Sequence, residues 1–193
     1  MKRLLFLFSA LLLPVICFAH DYTGNGGFLS GIAHPILGYD HFLAMLCVGI
    51  ISAQIGKSAI WTVPLTFMFV MLLGGVIGMR HFGEIPVEIG IALSVVLLGA
   101  AIGIDKKMPV IMAMIFVGLF AIFHGYAHGK EMPEVAIPYV YALGFMVGTA
   151  GIHLAGVLIG HVLTRSNKLK RILKIIGWSI ALAGVFIFVL AVK

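Results

Sequence analysis

Charge is scarce in this sequence. Only 10% of its 193 residues are Asp, Glu, Lys or Arg, while 62% are hydrophobic. A soluble domain carries about a quarter charged residues, and no stretch here is polar or long enough to form one. Cysteine is scarcer still. Cys17 falls in an N-terminal leader and Cys47 in an apolar run. With at most one thiol left after processing, an internal disulfide and a CxxC metal site are both excluded. The carboxylates are few and dispersed, so the all-oxygen pattern of calcium and magnesium sites is missing. Nothing resembles a nucleotide-binding loop. A formal charge of +6 would suit nucleic acid, but the basic residues sit in short loops between apolar runs. That is how a membrane protein fixes its orientation.

What is present is a series of apolar runs of about twenty residues, the length that crosses a bilayer as helix. The pattern predicts an all-α membrane protein, a bundle of six transmembrane helices after an N-terminal signal peptide. Met1-Lys2-Arg3, an apolar core over about 4–18 and the small residue Ala19 make residues 1–19 a signal peptide and 20–193 a single six-helix transmembrane domain. An uncleaved first helix is the alternative. A lipoprotein signal is disfavoured by Ile16, which precedes Cys17 where a small residue belongs. Cleavage would start the mature chain at His20-Asp21, where an amine beside an imidazole can chelate a metal or simply stay solvated. Residues 22–30 read as a Gly-rich linker. The six segments are expected at about 35–53, 60–79, 86–104, 108–127, 136–163 and 172–192. Pro35, Pro86, Pro109 and Pro138 fit first helical turns, where a missing N–H costs nothing.

With the mature N-terminus outside, the inner loops hold Lys57, Lys106, Lys107, Arg165, Lys168, Lys170, Arg171 and Lys174, and the outer side holds Arg80, Lys130 and Lys193. The excess of basic residues inside follows the positive-inside rule. Glycines recur at four-residue spacing in the pairs Gly74/Gly78, Gly99/Gly103, Gly144/Gly148 and Gly156/Gly160. Such faces predict close helix packing.

On this topology the polar residues gather in one outer layer. His34, Asp40 and His41 lie at the outer end of the first helix, Glu88 near the outer start of the third, and His124 and His128 at the outer end of the fourth. An ionisable residue inside a membrane segment marks a functional site by default. His34 and His41 are seven apart, so on one helix they would face the same way. His124 and His128 are four apart, a spacing by which two imidazoles can share a metal. Four imidazoles and two carboxylates suit nickel, cobalt, zinc or copper. Blander readings stand beside these. His161 reads as an interhelical hydrogen-bonder, and His153 as either that or a further step on a path. His81 reads as a solvated loop residue, and the scattered methionines as packing.

Three ordered motifs carry a resemblance over nearly the whole chain. They are His34-Pro35-x-x-Gly38-x-Asp40-His41-x-Leu43-Ala44-Met45-x-x-Val48-Gly49, Glu88-Ile89-Gly90-Ile91-Ala92-Leu93-Ser94, and Phe123-His124-Gly125-x-Ala127-His128-Gly129. Together with the leader, they resemble the HupE/UreJ family of hydrogenase and urease accessory membrane proteins. The resemblance implies a nickel permease, with cobalt as another cargo. It implies metal contacts at His34, Asp40, His41, Glu88, His124 and His128. The expected function is import of a divalent transition metal, Ni²⁺ first, with Co²⁺ or Zn²⁺ as alternatives. The expected place is a bacterial inner membrane, with the mature N-terminus periplasmic. The expected partners are the metal ion, membrane lipids and nickel-enzyme maturation factors, with no nucleic acid and no organic cofactor. No catalytic residue is expected. Two other readings stay open. One is an intramembrane zinc-dependent hydrolase with Ser94 as polarising hydroxyl, and the other an accessory protein that delivers metal without translocating it.

Overall fold

The structure, a computed structural model, describes residues 27–80, 86–132 and 136–193. Among these residues are seven α-helices and no strand: α1 Phe28–Leu37, α2 Tyr39–Ile55, α3 Ala59–Met79, α4 Val87–Ile104, α5 Val110–Lys130, α6 Pro138–Leu163 and α7 Asn167–Ala191. Helices α3 to α7 are each long and apolar enough to cross a membrane, and α1 with α2 forms a sixth such segment bent by 84°. The exterior agrees. Trp61, Leu65, Phe69, Ile111, Ile115, Leu119, Leu182 and Phe186 all stand exposed, far more apolar surface than a water-soluble monomer shows. The chain is a multi-pass helical membrane protein. The leader at 1–19, His20, His81 and Glu84 lie outside the described residues.

Glycine sets the helix pairing. Lipid is as apolar as leucine, so helices associate through close backbone contact rather than hydrophobic burial. Gly74 and Gly78 of α3 meet Ile122, Gly125 and Tyr126 of α5, and Gly125 and Gly129 return the contact to Met71, Gly75 and Met79. A Cβ on Gly125 would run into the carbonyl oxygen of Met71. Gly99 and Gly103 lie against Gly177, Trp178 and Ala181 of α7. Gly156 and Gly160 lie against α2 at Leu46, Gly49 and Ile50, while Gly144 and Gly148 lie against α1 at Phe28 and Ile32. All four glycine pairs read from spacing are therefore helix contacts. The rising residue numbers on both partners make α3 parallel to α5, and α2 parallel to α6. The falling numbers make α4 antiparallel to α7.

Four expectations are corrected. Helix begins at Phe28, inside the stretch read as a linker. The first predicted segment is two helices broken at Gly38, and Pro35 lies inside α1 rather than in a first turn. The basic stretch read as a loop up to 171 is helical from Asn167, with Ser166 as N-cap accepting from the Leu169 N–H at 3.3 Å. His161 is exposed near the end of α6, so it does not bridge helices.

Candidate metal centre

The break at Gly38 builds the site. Its backbone is extended (φ −79°, ψ 107°), a conformation any residue adopts, so glycine is needed for space. A Cβ there would lie 3.3 Å from His41 Nδ1 and 3.5 Å from Asp40 Oδ1. Asp40 sits in the first turn of α2, where free backbone N–H groups and the helix dipole favour a carboxylate. Its Oδ1 accepts the His41 backbone N–H at 2.7 Å and pairs with His41 Nδ1 at 2.7 Å. A carboxylate only accepts. In the neutral imidazole the ring proton therefore sits on Nδ1, and Nε2 keeps its lone pair. That atom is buried without a partner.

His124 is arranged the same way. Ser94 Oγ donates to the Ile91 carbonyl at 2.6 Å and lies 3.0 Å from His124 Nε2. A hydroxyl has one proton, so Ser94 accepts from His124 Nε2–H. His124 Nδ1 is then the free lone pair, and it too is buried and unpartnered. In both cases one ring nitrogen is anchored by a second group and the other is left available. This is how metal-ligating histidines are normally held.

The imidazoles form a file. Ring centroids are 4.8 Å apart for His34 and His128, 4.3 Å for His128 and His41, and 4.9 Å for His41 and His124. Because α1 and α2 are bent, His34 and His41 do not share a helix face. They meet on either side of His128 instead. His128 is buried, with both ring nitrogens unpartnered. At the outer end of the file, ligand atoms of His34, His128 and Glu131 all lie within 4.8 Å of one another. His34 Nε2 is 3.6 Å from Glu131 Oε2, and these side chains are 30% and 47% exposed, so this end of the file is open at the surface. At the other end of the file the fully buried Phe67 ring packs against both His124, at 5.5 Å, and His153, at 5.4 Å.

Five of the six predicted ligands, His34, Asp40, His41, His124 and His128, are thus gathered in one place. Glu88 shares their end of the bundle, since its neighbour Val87 packs with Tyr126 and Ala127. Its own side chain is exposed in the first turn of α4, and among the described residues it forms no ion pair with the cluster. His153 lies apart from them, buried against the Phe67 ring. Glu131 is the residue that sequence reasoning missed. The fourth segment was expected to end at 127, which put Glu131 in a loop. Helix α5 runs to Lys130, and the Glu131 N–H still bonds to the Ala127 carbonyl at 2.9 Å. The three-residue step from His128 to Glu131 on one helix face was the available signal.

Residues 8–187 match a family model described as HupE / UreJ protein. Among curated proteins, the chain is 38% identical over 182 residues to "Protein HupE" of Rhizobium leguminosarum bv. viciae, covering 94% of each chain. No solved structure matches it.

Proposed function

The chain belongs to the HupE/UreJ family, and from that premise we propose that it imports a divalent transition metal across a bacterial inner membrane. The cargo is Ni²⁺ first, with Co²⁺ next. The observation that carries this reading is the file His34, His128, His41, His124, with centroid steps of 4.3–4.9 Å. Two of its imidazoles have their ring protons held by Asp40 and Ser94, leaving bare lone pairs in a buried site. Neutral imidazole is a good ligand for nickel, cobalt and zinc. A carboxylate adds the negative charge that offsets the ion's lost water.

In this mechanism the hydrated ion meets Glu131, His34 and His128 first, where the side chains are partly exposed. It exchanges water for imidazole as it moves along the file. Glu88, exposed at the same end, acts as an outer collector. His20 would extend the outer approach. The inside-negative potential contributes about 2.3 kcal/mol per charge per 100 mV, hence about 4.6 kcal/mol for a dication. No energy-coupling domain is needed for net inward flow under that drive.

Uptake of Ni²⁺ by cells carrying Asp40→Asn or His41→Ala tests this reading, and uptake equal to that of the wild type refutes it. Flux into liposomes holding the purified chain alone separates import from hand-over to a maturation partner. The hydrolase reading is weakened by Ser94. Its proton goes to Ile91 and its lone pair faces His124, which leaves no hydroxyl donor to polarise a substrate.

A further inference from the structure

Eight buried side-chain nitrogen and oxygen atoms among the described residues have no hydrogen-bond partner. Four belong to the file described above: His41 Nε2, His124 Nδ1 and both ring nitrogens of His128. The other four are Tyr141 Oη, Thr149 Oγ1 and both ring nitrogens of His153, all on α6. Roughly nine in ten buried polar groups are satisfied in proteins, and an orphan inside a membrane is costlier still. Orphans produced by loose packing would scatter over seven helices. These are confined to the outer cluster and one helix.

Their order on α6 matters. Tyr141, Phe145, Thr149 and His153 recur every four residues and are all buried, so they form one inward stripe. Its outer end joins the cluster, with the Tyr141 ring 6.1 Å from His34 and the Phe145 ring 4.1 Å from His128. Its inner end is His153, about 18 Å further along the helix at about 1.5 Å per residue. That is more than half of a hydrocarbon core of about 30 Å. The carbonyl of His153 presses against Gly49 of α2, which fixes the backbone from which the imidazole projects. A histidine placed only to tie helices together would have its partner. Neither nitrogen of His153 has one.

Resting on the reading of this chain as a metal importer, we infer that His153 is an inner transit ligand for the divalent ion. The Thr149 hydroxyl is a relay between it and the outer cluster, and the Phe67 ring, which packs against both His124 and His153, borders the step between them. A single imidazole leaves the remaining coordination positions to water. It therefore binds weakly, as a release step requires when conduction runs through several sites. The outer cluster selects the ion, and His153 receives it past Phe67.

The test uses the full chain in two measurements. One is equilibrium Ni²⁺ binding to the purified protein in detergent. The other is Ni²⁺ flux into liposomes loaded with a metal-quenched dye. His153→Ala is expected to bind Ni²⁺ within about threefold of the wild type and to conduct at least about tenfold more slowly, because it leaves the selecting site intact and removes the next step. Thr149→Val, which keeps the side-chain volume, is expected to slow flux by about threefold or more with binding unchanged, the effect of losing one hydroxyl contact. It carries the test should His153→Ala fail to fold. Wild-type flux in Thr149→Val together with either wild-type flux or misfolding in His153→Ala overturns the inference. So does a folded His153→Ala that loses binding and flux in parallel. If the wild type itself shows no flux, or binding that His41→Ala leaves untouched, the import reading fails instead.

Discussion

The tautomer assignments at His41 and His124 lead to a graded prediction. Asp40 Oδ1 takes both the ring Nδ1–H and the backbone N–H of His41 at 2.7 Å. Asp40→Asn keeps a carbonyl oxygen able to accept both, and removes the charge. A charge-assisted hydrogen bond is about twice as strong as a neutral one, and losing a second group behind a ligating histidine typically weakens metal binding about 10–100-fold. Asp40→Asn should therefore lower Ni²⁺ affinity by about 1.4–2.7 kcal/mol. Asp40→Ala should cost more, because it removes the acceptor altogether and frees the His41 ring. Ser94→Ala removes a neutral acceptor only, worth about 1 kcal/mol or roughly fivefold. Isothermal titration of detergent-purified protein with Ni²⁺ reads the series. The expected order of weakening is Asp40→Ala, then Asp40→Asn, then Ser94→Ala. Wild-type affinity in Asp40→Asn, or a larger loss in Ser94→Ala than in Asp40→Asn, would refute the reasoning.

Three further outcomes are expected. Glu131→Gln should reduce Ni²⁺ uptake at low micromolar metal by about tenfold, since it removes the one carboxylate of the outermost ligand group, and its melting temperature should stay near that of the wild type because the side chain is 47% exposed. Gly125→Ala should destabilise the α3–α5 pair by about 1–3 kcal/mol through overpacking, since the new Cβ meets the Met71 carbonyl. Gly151→Ala, where nothing lies within 4 Å, should be neutral, and thermal unfolding in detergent distinguishes the two. Asp105 closes α4 in a left-handed conformation (φ 55°) and accepts from Gln54 Nε2 at 3.0 Å. Asp105→Asn keeps both features and should cost less than Asp105→Ala, which should lose about 1 kcal/mol in the same assay.

The spans from α3 to α7 were legible because length and apolarity alone decide them in a bilayer. The helix contacts were legible because small residues at four-residue spacing have one main use there. The gathering of His34, His41, His124 and His128 at one end of the bundle was legible from topology, since alternate helices return their ends to the same face. The bend at Gly38 was not. An extended backbone at φ −79° carries no compositional mark, and Pro35 fits the start of one helix as well as the last turn of another. Missing the bend gave the right company for His34 and His41 for a wrong reason. Glu131 was hidden by a helix end placed three residues early. The protons on the two anchored histidines were beyond sequence altogether, because Ser94 reaches His124 across thirty residues of chain.

The arrangement also bears on why the site should pass an ion rather than keep one. A structural metal is held by a closed set of ligands converging on one point. Here the imidazoles form a line, with each step close to 5 Å. On the import reading, an ion bound between two neighbours would have the next ligand within reach before the last one is released. The rings at the ends of this line have different surroundings. His34 faces Glu131 and the medium, which favours capture of a hydrated cation. His124 faces Ser94 and the Phe67 ring, one ring away from His41 and its Asp40 carboxylate. On the import reading the ion should be held most tightly beside His41, where Asp40 supplies the charge, with weaker positions at either end of the file.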